Sequence, residues 1–281
     1  MLTQIDLVKK YHLSIRGQLG QHLLIDPNVQ RKIVELLDLG KRDKVLEIGP
    51  GLGALTRHVL EKGAGVLAVE KDEKFVEVLE KELLPAFPKK LKIVSGDILK
   101  WIRQGGAAKR FSKSKWRVLG NLPYYISTPI LFELIENRKF FNRAVLTVQK
   151  EVAQRLLATP GTRDYSRLTL GVRYFCEVEH AFDISPSCFT PRPEVDSSVI
   201  VLTFHPEPKL PKVDPDFLFY LIKIAFGQRR KTLLHNLSHA DQIAAGREKL
   251  EEIFSRLGLA KTVRGEELML KDYLGLAEEL R

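Results

Sequence analysis

Between Val45 and Val148, short apolar runs alternate with segments whose apolar residues recur at helical spacing. That rhythm leaves few folds open. Successive strands separated by helices pair in parallel, each crossover is right-handed, and the helices cover both faces of one sheet. We therefore expect an α/β fold with a doubly wound, mostly parallel sheet. Strands are predicted at Val45–Ile48, Val66–Val69, Leu91–Val94, Val118–Leu119 and Ala144–Val148. Helices are predicted up to Lys62, over Asp72–Leu84 and over Thr128–Glu136. An arm of little periodicity comes first, then a helix opened by Asp26-Pro27 that carries Val29, Ile33, Leu36 and Leu37 towards Gly40. Tyr174–Ile184 and Val199–Phe204 read as longer strands forming an antiparallel end to the sheet.

His205-Pro206-Glu207-Pro208, with Pro211 and Pro215 close behind, reads as a semi-rigid linker. The 281 residues then divide into a domain over 1–205, arm included, and a small helical domain over 206–281. In the latter, Asp214-Pro215 signals a helix start, Phe217, Leu218, Leu221, Ile222 and Ala225 form a stripe, and Gly227 suits a C-terminal cap. Lys100–Lys115 reads as an exposed basic loop.

Forty-five Lys and Arg against 35 Asp and Glu leave a formal charge of +10, which favours a polyanionic partner, nucleic acid first among them. No apolar run is long enough to span a bilayer, and Met1–Lys10 lacks the apolar core of a secretory signal, so a cytoplasmic location is expected. Two cysteines, Cys176 and Cys188, suggest neither a disulfide nor zinc.

The run EIGPGLGALT, Glu47 to Thr56, follows the first predicted strand and opens a helix. Gly49, Gly51 and Gly53 let the backbone turn sharply and approach a ligand closely. The spacing is G-x-G-x-G and not the G-x-G-x-x-G that seats a pyrophosphate, and Glu47 would repel phosphate. A ligand with a cationic end fits better, and S-adenosyl-L-methionine, with an ammonium, a sulfonium and a ribose, is one. Glu70 closes the second strand, where a carboxylate accepts ribose hydroxyls, and Asp97 closes the third, placed for an adenine amino group.

Asn121-Leu122-Pro123-Tyr124 follows the fourth strand. The exocyclic amine of adenine is a poor nucleophile because its lone pair is delocalised into the ring. A site that accepts both amine hydrogens favours the pyramidal, nucleophilic form as attack begins. The Asn121 amide oxygen and the Leu122 carbonyl suit that task, Tyr124 suits stacking on an extruded base, and no metal is needed. Phe189, in a Pro-rich loop, is placed to cover the base's other face. Arg229, Arg230 and Lys231 make a cationic cluster at a helix start, unfavourable there unless an anion compensates, and RNA phosphate is the expected one. His235 and His239 have i, i+4 spacing but lack the Glu of a metalloprotease motif, which points to surface or capping roles.

GQHLLIDP at Gly20–Pro27, EIGPGLGALT, Glu70, GDIL at Gly96–Leu99, NLPYYIST at Asn121–Thr128, FTPRPEVDSSV at Phe189–Val199 and AFGQRRKTL at Ala225–Leu233 together resemble the rRNA adenine N6-dimethyltransferase family. The likeness is greatest to its KsgA-type small-subunit branch and runs over nearly the whole chain. The resemblance implies a methyltransferase-type Rossmann domain with a small helical RNA-binding domain. It also implies dimethylation of two adjacent adenosines near the 3′ end of small-subunit (16S) rRNA, on a pre-30S-like particle. By the same resemblance, cofactor contacts fall at Gln21, Leu23, Glu47, Gly49, Gly51, Glu70, Lys71, Asp97, Ile98 and Asn121. Asn121, Leu122, Tyr124 and Phe189 form the target-base site, and Arg229, Arg230 and Lys231 contact RNA. Leu23 stands where the family usually has Phe, and the basic stretch from Lys100 is an insertion.

Three other readings stay open at this point. An NAD-linked oxidoreductase would explain the glycine turn and Glu70 but not the Asn121–Tyr124 motif. A non-enzymatic nucleic-acid binder on this fold would not need Asn121 and Tyr124 intact. The large-subunit methyltransferase branch shares the core, so only the FTPRPEVD and AFGQRRKTL segments argue against it.

Overall fold

The computed structural model describes residues 2–15, 17, 21–106, 115–205 and 213–281. Strand β1 is Leu23–Leu24, followed by β2 Lys44–Ile48, β3 Gly65–Glu70, β4 Leu91–Ser95, β5 Trp116–Asn121, β6 Phe141–Gln149, β7 Cys176–Ile184, β8 Phe189–Thr190 and β9 Ser197–Phe204. Seven strands form one sheet in the order β4-β3-β2-β5-β6-β9-β7. Neighbours from β4 through β6 are parallel, and β9 runs antiparallel to β6. The mostly parallel sheet with an antiparallel end is the one expected from the alternation.

Burial explains why the pattern was readable. From Val45 to Ile48, β2 is buried at every position, as a central strand covered on both faces must be. The helices begin where short polar side chains can hold free N–H groups: Asp26 accepts from Asn28 and Val29, Asp72 from Lys74, and Asp97 from Leu99 and Lys100. Strand order reverses between β2 and β5, so a crevice opens at their carboxyl ends. A separate two-residue pairing, Leu23 with Thr190 and Leu24 with Phe189, clips the N-terminal arm to the loop before β9.

Several boundaries move. The first helix of the arm is Gln4–Lys10, capped by Thr3. The helix expected to reach Gly40 stops at Glu35, and Asp38 then turns through φ 51°. The strand expected from Tyr174 begins at Cys176, because Arg167–Phe175 is helical. The helix Pro215–Ala225 closes on Phe226, and Gly227 has no left-handed φ.

The chain separates into two compact units, Met1–Ala153 with Glu177–His205, and Gln154–Cys176 with Pro206–Arg281. The division drawn at 205/206 therefore needs correcting, because 154–176 groups with the C-terminal segment. In that second unit, helices Arg167–Phe175, Pro215–Ala225, Leu233–Ser238, Arg247–Arg256 and Leu270–Glu279 pack together. Two buried hydroxyls secure it: Tyr165 donates to the Leu268 carbonyl and Tyr273 to that of Gly265. The linker from Pro206 to Pro211, and Lys109, Arg110 and Lys113 of the basic stretch, lie outside the described residues.

Candidate active site

The crevice at the ends of β2, β3 and β5 holds a cavity of about 100 Å³ lined by Gln21, His22, Leu23, Leu24, Glu47, Gly49, Gly51, Glu70, Asn121 and Pro123, among others. A second cavity of about 310 Å³ shares Gln21, Gly49, Glu70 and Pro123 with it and adds Lys71, Asp97, Ile98 and Tyr125. Every cofactor position expected from the sequence lines one or both.

Glu47 is 1% exposed, and its Oε2 has no hydrogen-bond partner. Burial and the neighbouring carboxylate of Glu70 push its pKa up to about 8. A buried, unpartnered carboxyl oxygen at the edge of a cleft is a seat for a cation. The glycine turn leaves the needed room: a Cβ at Gly49, whose φ is 63°, would touch nothing within 4 Å. At Gly53 (φ 82°), by contrast, a Cβ would lie 2.8 Å from Leu79 Cδ2, so this glycine serves close packing of the helix that follows.

Glu70 is held in place by three backbone donors: Gly51 N–H at 3.0 Å, Lys71 N–H at 2.8 Å and Asp72 N–H at 2.9 Å. Burial raises its pKa against the opposing pull of these donors. Asp97 differs. Oδ1 caps its helix and Oδ2 meets Lys71 Nζ at 3.1 Å, so despite some burial its carboxyl stays below the usual range. Lys71 is thereby tied to Asp97, with its ammonium largely in solvent. Gln21 donates to Asp72 at 2.9 Å.

Asn121 ends β5 and donates its Nδ2 to the His22 carbonyl at 2.9 Å. With the amide's donor engaged in this way, Oδ1 is the group left to accept, and no described residue donates to it. Leu122 is buried and donates its N–H to Thr147. Tyr124 is anchored through its hydroxyl to Ser197 Oγ at 2.8 Å. The His22 ring stacks on Tyr124 with centroids 5.6 Å apart and planes at 25°. Nδ1 of His22 in turn pairs with the Pro191 carbonyl at 2.8 Å.

Phe189 does not join this group. It is 3% exposed, its backbone pairs with Leu24, and its ring packs in the core with Leu24, Ile33 and Ile184. The clip that orders its loop turns the ring inward, so the expected aromatic on the base's other face is corrected to a core plug. Tyr125, missed from the sequence, is 62% exposed and lines the second cavity. His22 and Leu24 were also missed. Their signal lay in the GQHLLIDP segment, but only the clip brings it against Asn121.

The cationic cluster sits in the turn before helix Leu233–Ser238, whose N-cap is Thr232, and not within its first turn. Arg229 already has its anion, pairing with Glu266 and donating to the Arg163 carbonyl. Among the described residues Arg230 and Lys231 carry no ion pair. The His235 and His239 rings lie with centroids 4.4 Å apart and planes tilted by 38°, and His239 Nδ1 is 2.9 Å from the His235 carbonyl, an arrangement at a helix end.

The switch-point crevice, the glycine cradle and the acidic strand ends define a Rossmann-type methyltransferase. The description "Ribosomal RNA adenine dimethylase" matches residues 12–280. "Ribosomal RNA small subunit methyltransferase A" of Bacillus cytotoxicus is 38% identical over 277 residues, 98% of this chain and 94% of that protein. Its counterpart in Lachnoclostridium phytofermentans is 36% identical over 274 residues, again 98% and 94%. Among solved structures, a dimethyladenosine transferase from Plasmodium falciparum superposes with a TM-score of 0.78 at 29% identity, covering 92% of this chain and 96% of that one. The 23S rRNA methyltransferase ErmE shares the fold, with a TM-score of 0.71 at 24% identity over 92% and 99%. The chain belongs to the ribosomal RNA adenine dimethylase family.

Proposed function

We propose that the protein uses S-adenosyl-L-methionine to convert two adjacent adenosines near the 3′ end of small-subunit rRNA to N6,N6-dimethyladenosine, in the cytoplasm, on an assembling small-subunit particle. The observation that carries the chemistry is the Asn121 amide, whose donor is engaged by His22 and whose oxygen is left to accept. When bound, the cofactor supplies an electrophilic methyl on a sulfonium. In this reading Glu47 accepts the cationic end, Glu70 takes the ribose hydroxyls, and the cavity lined by Asp97, Ile98 and Tyr125 takes the adenine.

Asn121 Oδ1 and the Leu122 carbonyl accept the hydrogens of the target amine, which favours the pyramidal nitrogen as the new bond forms. Tyr124, held from behind by Ser197 and His22, offers the surface for the extruded base. As the nitrogen–methyl bond forms, the methyl–sulfur bond would break and the nitrogen would shed one of its two protons to solvent. One hydrogen then remains beside the new methyl, and one of the same acceptors receives it for the second transfer. Arg230 and Lys231 contact RNA phosphate, whereas Arg229 supports the turn through Glu266.

The test is transfer of labelled methyl to unmethylated small-subunit particles, followed by nucleoside mass spectrometry. Dimethyladenosine at two neighbouring positions is expected, with naked rRNA a poorer substrate. Monomethyladenosine alone, or label confined to large-subunit RNA or DNA, overturns the proposal.

A further inference from the structure

At the opposite end of the sheet from the crevice, where β2, β3, β4 and β5 begin, lies a concave groove of about 550 Å³. Four lysines line it, Lys44, Lys89, Lys90 and Lys92, and Trp116 forms a wall. Among the described residues no carboxylate does, and none of the four lysines makes an ion pair. Lys44 Nζ lies 5.6 Å from the centre of the Trp116 ring, and a Cβ at Gly63 would come within 3.6 Å of Lys90 Nζ and 3.7 Å of Lys41 Cγ. The nearest acid in sequence, Asp43, is already engaged by Arg117 at 2.7 Å.

Protection of an open edge accounts for Lys92 on edge strand β4. It does not account for Lys44, on an inner strand, nor for Lys89 and Lys90, which precede β4. Converging ammonium groups with no counter-charge repel one another, and an anion that bridges several of them relieves this. A groove lined by four flexible ammonium groups, with no carboxylate or amide side chain among its described residues to fix a base edge, suits a phosphate backbone best.

We propose that this groove binds the sugar-phosphate backbone of ribosomal RNA at a point remote from the methylated bases. The inference rests on the ribosomal RNA reading above. The strands between groove and crevice are five or six residues long, which separates the two ends by roughly 16–20 Å. A short hairpin that fills the crevice does not reach the groove, whereas a folded particle wrapping the domain does. The groove therefore distinguishes the particle from its fragments.

The experiment uses the full chain carrying Lys44→Gln, Lys89→Gln, Lys90→Gln and Lys92→Gln together. Its binding to unmethylated small-subunit particles is measured against salt concentration, and its methylation of particles and of a short target hairpin is compared with the unaltered protein. The expected result is a salt slope shallower by about 3, at 0.7–0.9 per phosphate contact, with particle KM raised at least about tenfold and kcat and all hairpin kinetics unchanged. An unchanged slope and particle KM overturn the proposal. So does an equal loss on hairpin and particle, which would place the lysines' effect at the catalytic end. Polyglutamate competing as well as a non-target RNA of equal charge would mark a general polyanion surface and also overturn it. If the unaltered protein methylates neither substrate, the dimethyltransferase reading fails, and the binding slope still judges the groove.

Discussion

Glu47 and Asn121 lie at neighbouring strand ends, yet they are prepared for ligand in opposite ways. Glu47 holds a proton, since burial has raised its pKa to about 8, whereas the unfolded chain titrates near 4.5. The folded, ligand-free protein therefore binds the extra proton, so the stability owed to this group is present below about 4.5 and is lost as pH climbs towards 8. Denaturation curves across that range should show this fall, and Glu47→Gln should flatten most of it, with Glu70, shifted the same way, supplying the remainder. A bound cation reverses the preference, so affinity for S-adenosylmethionine should rise with pH up to about 8 and level off. Calorimetry with the Gln variant should lose that rise.

Asn121→Ala should lower turnover by about 10² to 10³, as for loss of one preorganised contact, with cofactor affinity much less affected. His22→Ala removes the ring behind Tyr124, and a stacked pair of this kind contributes about 0.5–1.5 kcal/mol, so kcat/KM should fall roughly two- to tenfold. A fall in Asn121→Ala that saturating cofactor restores would contradict the amine-accepting role.

The glycine turn and the capped helices show how much of the fold was legible in the sequence. From β2 to β6 the expected strands and helices lie within a few residues of the observed ones, because buried strands and one-sided helices each write a local period. The loop expected from Lys100 is corrected at its start, where Ile98–Arg103 is a helix too short to write one. Helix Gln4–Lys10 buries only Leu7 and writes none. Helix Arg167–Phe175 buries seven of its nine residues, so its stripe vanishes and its end merges with β7. At the site, the acidic strand ends were legible because the fold rule locates them. The inward turn of Phe189 and the engagement of Asn121 by His22 depend on the clip between distant segments, which no window of sequence contains. Gly49 and Gly53, two of the three left-handed glycines of the turn, should separate packing from binding. Gly53→Ala should cost about 1–3 kcal/mol in denaturant melts, through its contact with Leu79 and its positive φ. Gly49→Ala carries the left-handed φ cost of about 1–2 kcal/mol but meets open space in the protein, so its larger effect should fall on S-adenosylmethionine, whose approach the new methyl obstructs.

At the level of the whole molecule, its charge of +10 is the sum of unequal parts. Because Arg229 is neutralised by Glu266, Arg230→Gln with Lys231→Gln should reduce the salt slope of RNA binding by about 1.4–1.8, and adding Arg229→Gln should reduce it no further while lowering the melting temperature. The clip between Leu23–Leu24 and Phe189–Thr190 bears on how such a molecule comes into being. The arm leaves the ribosome long before the segment it must hold, which emerges only when the first unit is almost entirely synthesised. Its wall of the cleft has no partner until then. A partly made chain thus carries the glycine turn and the acids without an enclosed pocket, and competence to take up the methyl donor arrives late in translation, as a certificate of completion.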